Sequence, residues 1–210
     1  MNSTQVQDEY WRENKSELVD ATGFLLCGGQ SSRMGRNKAL LLFDGEPLVL
    51  RGLRLLEQVC CDVAIAGATE DLGGFGRVIP DQTPGCGPLG GIVSALRQST
   101  SEWNLFLAVD MPFVPAAALN RLLYMAGGLP SVCVMARVGG QVQPLCAVYS
   151  RKALPTLNDY LVSGKWKVSE AIAAAGMYKM LDFEEERWFA NLNTPEEFAE
   201  AERHLDALDT

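Results

Sequence analysis

The chain has 210 residues, of which 48% are hydrophobic and 21% charged, with a formal net charge of -8. This suits one globular domain with a sizeable core. The acidic balance argues against nucleic acid or an anionic membrane surface as a partner. No apolar run approaches the roughly 20 residues of a membrane span. Residues 1–20 are polar and mixed in charge, without the apolar centre of a secretion signal, and read as an N-terminal extension ahead of a single domain over 21–205. The six cysteines, Cys27, Cys60, Cys61, Cys86, Cys133 and Cys146, form no C-x-x-C pair. Reduced thiols in a cytoplasmic protein are the expectation.

Phe24–Cys27 is a short apolar run and is expected to be a buried strand. It stops at Gly28-Gly29 and gives way to a loop carrying Arg33, Arg36 and Lys38, with no acidic residue from Cys27 through Phe43. Glycines that expose backbone N–H groups, joined to Arg and Lys side chains, make a loop suited to a polyphosphate. The P-loop pattern G-x-x-x-x-G-K-[ST] and the dinucleotide pattern G-x-G-x-x-G are both absent.

Ala39–Phe43 is a further short apolar run closed by the turn Asp44-Gly45. Pro47 then opens a helix over 48–59, with apolar residues near helical spacing. Strands are expected at Val63–Ala66 and Arg77–Ile79. The second glycine loop, Asp81–Ile92, contains four glycines and two prolines and is expected to become helical at about Leu89. Trp103–Val109 has the continuous apolar pattern of a central parallel strand and ends on Asp110-Met111-Pro112. A helix over 115–125 and a strand over 131–136 follow. Gly139-Gly140 and the return run Pro144–Tyr149 predict a hairpin, placing antiparallel character on one edge of the sheet. Helices near 152–161 and 168–175, an edge strand over 177–183, and a helix begun by the capping box Thr194-Pro195-x-Glu197 complete the chain. The single histidine, His204, falls in that last helix with no nucleophile beside it. Strands alternating with helices imply a three-layer, mostly parallel Rossmann-like α/β sheet with helices on both faces. Ligands of such sheets bind beyond the carboxyl ends of the strands, where the first loop and Asp110 both fall.

Taken as residues, several positions leave two readings open. Asp110 either holds a hard cation such as Mg2+ or caps the helix that follows. Asp81 serves a ligand or an Asx turn. Lys38 meets phosphate or flanks a strand, and Asn191 and Asn193 either present both amides on one side or simply form a turn.

The order G-G-x-x-x-R-M-G-x-x-K over 28–38 resembles the signature loop of nucleoside-triphosphate transferases, and of the molybdenum cofactor guanylyltransferase family in particular, with Cys27 in place of the family's alanine. The resemblance spans about 23–197. It implies transfer of GMP from GTP to molybdenum-molybdopterin, with Arg33, Lys38 and Asp110 catalytic and Asp110 the ligand of Mg2+. It further implies that Leu26, Cys27, Gly28, Gly29, Lys38, Asp81, Gly87, Pro88, Leu89, Gly91 and Asp110 bind the nucleotide. Gln143, Pro144, Asn191 and Asn193 would face the acceptor, and transient contact with enzymes that deliver or receive the cofactor would follow. Gly28 would leave room for guanine. Val63–Ala66 ends in Ala-Gly where the family carries an asparagine that touches nucleotide. The alternatives are a cytidylyltransferase acting on the same pterin or a sugar-like phosphate, and a nucleotide-binding regulator that turns nothing over.

Overall fold

The structure, a computed structural model, describes residues 20–28, 37–67, 72–128, 130–194 and 197–198. Residues 1–19 of the expected extension, Gly29, Arg33, Arg36 and His204 lie outside these.

Nine strands are present among the described residues, seven of them in one sheet. In chain order the seven are β1 (Ala21–Leu26), β4 (Asp62–Ala66), β5 (Val78–Ile79), β6 (Trp103–Ala108), β7 (Cys133–Val138), β8 (Gln141–Ser150) and β9 (Tyr178–Phe183). Their spatial order is β5-β4-β1-β6-β8-β7-β9. Only β8 runs against its neighbours. All six residues of β1 are buried, as a strand covered on both faces requires.

Among the described residues five α-helices cover the sheet: α1 (Leu48–Glu57), α2 (Pro88–Gln98), α3 (Ala116–Gly128), α4 (Leu154–Val162) and α5 (Val168–Ala175). On one face Leu53 and Leu56 of α1 and Leu119 and Leu122 of α3 pack with Leu25 and Ile65. On the other face Ile92 and Leu96 of α2, Leu157 of α4 and Ile172 of α5 pack with Phe24 and Ala64. The expected three-layer arrangement is therefore the one observed.

Two expectations need correction. The run Ala39–Phe43 is not one element: Lys38–Leu40 is a 3-10 turn capped by Asn37, whose Oδ1 accepts the Ala39 N–H at 3.1 Å. β2 (Leu42–Phe43) then pairs with β3 (Glu46–Pro47) in a separate ribbon, turning at Asp44 and Gly45 with φ of 54° and 71°. Positive φ at both central residues is the hairpin geometry that Asp-Gly favours. The antiparallel strand of the Gly139-Gly140 hairpin, secondly, is not at an edge. β8 is inserted between β6 and β7, and β9 forms the edge. The physical reason is burial: Cys146–Ser150 are all buried, and Tyr149 completes an aromatic row with Phe106 and Phe24, whose neighbouring ring centroids lie 5.1 Å apart. Such offset and edge-to-face pairs add about 0.5–1.5 kcal/mol each beyond burial.

Register decides what the sheet can do. Leu26 of β1 stands level with Ala66 of β4 and Ala108 of β6. The residues just past these three strands therefore share one rim.

Candidate active site

The rim is closed by backbone packing. Past the strand ends, Cys27 N–H donates to Ala66 O at 3.0 Å, Val109 N–H to Leu26 O at 3.1 Å and Gly67 N–H to Ile79 O at 3.0 Å. Gly28 and Gly67 approach so closely that a Cβ on Gly28 would stand 2.6 Å from Gly67 O. Gly28 is thus required by the neighbouring main chain, which differs from the expected reason, room for a guanine base. Gly67, at φ 73°, could accept a side chain only with strain. In the sequence the Ala66-Gly67 step stands out only for the missing family asparagine, and nothing there marks the close approach of Gly67 to Gly28.

At the centre of the rim, Lys38 Nζ donates to Asp110 Oδ2 at 2.9 Å and to Asn193 Oδ1 at 2.8 Å. Both charged side chains are partly shielded, Lys38 at 16% and Asp110 at 24% exposure. The chain's return holds this cluster from behind. Leu192 N–H donates to Asp110 O at 2.9 Å, and Leu192 sits in a small core with Phe43, Leu48 and Phe198. The expected capping box is present: Glu197 N–H donates to Thr194 Oγ1 at 3.2 Å, while Glu197 Oε2 accepts from the N–H groups of Thr194 and Asn193. Arg51, another residue that sequence spacing did not mark, donates from Nε to Pro112 O at 3.1 Å with its guanidinium 5.3 Å from the Phe43 ring centroid. It braces the turn that follows Asp110.

Cys27 offers no nucleophile. Burial, and then the Asp110 charge, push its thiol up to about 12, so it stays protonated at neutral pH.

Of the second loop, Asp81 lies just past β5 and is half-buried, Gly87 caps α2 at φ 64°, and Pro88 is its first residue. The Leu89 side chain is fully buried in the core beneath α2, so only its backbone can meet a ligand. Gly91 packs against Gly67, with the position of a Cβ 3.4 Å from Gly67 Cα.

Gln143 and Pro144 lie where β8 bulges: Met135 pairs with Ala147 and the next residue, Ala136, with Gln143. Pairing with β6 ends at Leu107–Cys146, so Gln143 and Pro144 extend past the Asp110 end of β6. Asn191 is exposed on the returning segment. The fully buried Tyr149 anchors the bulge through its hydroxyl, which donates to Pro144 O at 2.6 Å. Tyr149→Phe is expected to cost about 1–2 kcal/mol of stability, the worth of that hydrogen bond, as read by denaturant unfolding. Gly29 and Arg33 fall outside the described residues.

Read across the strands, the rim runs from Asp81 at β5 through Gly67 and Gly28 to Asp110 at β6 and on to Gln143 at β8. Three strand spacings of about 4.8 Å set the β5 and β6 ends about 14 Å apart, the span of an extended nucleotide. Glycine loops, a shielded ammonium and two carboxylates along the carboxyl edge of such a sheet define a nucleotide-handling α/β protein. The chain belongs to the MobA-like NTP transferase domain family, whose model matches residues 23–176, and is a nucleotidyltransferase. It is 34% identical over 190 residues to the molybdenum cofactor guanylyltransferase of Cereibacter sphaeroides, covering 87% of this chain and 96% of that one. A protein of Pelotomaculum thermopropionicum named "Probable molybdenum cofactor guanylyltransferase" is 33% identical over 195 residues, covering 88% and 93%. Among solved structures, molybdopterin-guanine dinucleotide biosynthesis protein A from Archaeoglobus fulgidus superposes with a TM-score of 0.76 at 22% identity, covering 89% of this chain and 99% of that one. No helix among the described residues is long and apolar enough to cross a membrane.

Proposed function

We propose that the protein transfers GMP from GTP to molybdenum-molybdopterin, giving the guanine dinucleotide form of the cofactor and pyrophosphate. The observation that carries this reading is the linear rim, with Asp81 at one end, the Lys38–Asp110–Asn193 cluster in the middle and Gln143–Pro144 beyond it. Such an order suits guanosine, phosphates and acceptor in turn, and the curated relatives carry the guanylyl name.

Mg2+ fits this donor set. Among the described residues no three His, Cys, Asp or Glu side chains converge as a cage. A single carboxylate is what Mg2+ takes when phosphate oxygens and water complete its shell. Asp110 would hold it, and when bound the ion would neutralise charge on the α-phosphate. Lys38 would neutralise the remaining phosphates as a compact point charge. The acceptor's terminal phosphate oxygen attacks the α-phosphorus, the bond from that phosphorus to the bridging oxygen breaks, and pyrophosphate leaves with the electron pair. No protein nucleophile is needed, and the work is positioning and charge neutralisation. Asn191, Asn193, Gln143 and Pro144 would orient the acceptor, and Arg33 would join Lys38.

Steady-state assays with GTP and CTP on molybdenum-loaded pterin test the assignment. A preference for GTP of about a hundredfold or more in kcat/KM is expected, because a site built for the hydrogen-bond donors of guanine rejects a base lacking them. Equal rates, or a preference for CTP, would make the protein a cytidylyltransferase instead.

A further inference from the structure

One stripe of α2 is shaped to the turn that carries Asp81. Gly90, Ser94 and Arg97 recur at helical spacing and so share a face. A Cβ on Gly90 would lie 2.6 Å from Asp81 Oδ2 and 2.7 Å from Oδ1, so the carboxylate occupies the room that a side chain would take. One turn on, the buried Ser94 Oγ accepts the Gln82 N–H at 3.0 Å. Arg97 Nη1 then donates to Gln82 Oε1 at 2.6 Å, while its Nη2 holds Asn158 Oδ1 of α4.

The carboxylate so held is barely used by the fold. Among the described residues its hydrogen bond is the one that Oδ1 accepts from Thr83 N–H at 2.8 Å. The N-cap of α2 is Gly87, without a side-chain cap, so Asp81 does not serve as that cap. A half-buried carboxylate that fills the room of a missing side chain, on a turn that a buried serine holds through the Gln82 N–H, is arranged for a ligand. We infer that Gly90 and Ser94 are positioning residues that set the Asp81 carboxylate, with its free Oδ2, to accept hydrogen bonds from the guanosine end of the substrate. This rests on the guanylyl reading above.

The test is a double-mutant cycle on GTP binding, by calorimetry with Mg2+, joined to steady-state kinetics. Gly90→Ala should displace the carboxylate and weaken GTP by about tenfold, the worth of one charge-assisted contact. KM for GTP should rise with kcat held, because Asp81 lies remote from the reacting phosphorus and binds ground and transition state alike. Asp81→Ala should cost about as much. In the Asp81→Ala background Gly90→Ala should cost nothing further, because the space is then free. Ser94→Ala, which adds no bulk, should give a smaller rise in KM that also vanishes in that background. Additive losses, or a fall in kcat and melting temperature with KM unchanged, would overturn the inference and leave these residues structural. GTP turnover by the unmutated enzyme with no loss on Asp81→Ala would overturn it too, while sparing the guanylyl assignment. If the unmutated enzyme prefers CTP, the guanylyl assignment fails first and the recognition of guanosine falls with it.

Discussion

Asp110→Asn is expected to lower kcat by roughly 10²–10³-fold or more, the scale on which loss of one preorganised charge-stabilising group is felt. The substitution keeps size and shape but removes the formal charge that a hard cation requires. The fold should survive. The neighbouring chain is tied to Asp110 through its backbone carbonyl, which accepts from Leu192 N–H, and that bond does not involve the side chain. Lys38 keeps a neutral oxygen partner at Asn193. The amide that replaces the carboxylate still offers Lys38 an oxygen at the same place, so the stability lost should be small, about 1 kcal/mol. Circular dichroism and thermal melting close to those of the unmutated protein, with turnover gone, are the expected results. Near-normal turnover would instead show that Asp110 is not the ligand of the metal ion.

Lys38→Ala is expected to lower kcat/KM for GTP by about 10²–10³, through weaker triphosphate binding and a less neutralised transition state. The binding part alone should amount to about ten- to a hundredfold, or roughly 1.5–3 kcal/mol. Guanosine, which lacks phosphates, should bind the variant almost unchanged. That difference separates a phosphate ligand from a structural lysine, and calorimetry with both ligands reads it directly. Lys38→Arg should not restore activity. A planar fork cannot place one compact charge between Asp110 and Asn193, where the ammonium now lies 2.9 and 2.8 Å from its two acceptors.

Most of the fold was legible because local signals were strong. The apolar run before Gly28, the Asp-Gly turn, the helix opened by Pro47 and the Thr194–Glu197 box each carry their own local physics. What remained hidden is what depends on distant partners. The run Pro144–Tyr149 reads as a strand, but nothing in it names β6 as a neighbour; only the packing of Tyr149 on Phe106 decides that. The motif marked Lys38, Asp110 and Asn193 separately, yet not that one ammonium joins them. In the G-P-L-G-G segment the sequence reading used Gly91 and passed over Gly90, because a missing side chain announces no neighbour until Asp81 is seen beside it.

The place of Asn193 near the end of the chain has a consequence for synthesis. Once Ser150 has been added, eight of the nine strands exist, and the last to come, β9, joins only at the edge. The core of the sheet can therefore collapse on a nascent polypeptide still attached to the ribosome. Asn193, 155 positions after the lysine that it holds, arrives later. A chain halted at Ala190 would contain all nine of the described strands but lack the amide at Lys38 and the backbone tie from Leu192 to Asp110. The cluster of Lys38, Asp110 and Asn193 is thus completed only when nearly all of the chain has been made.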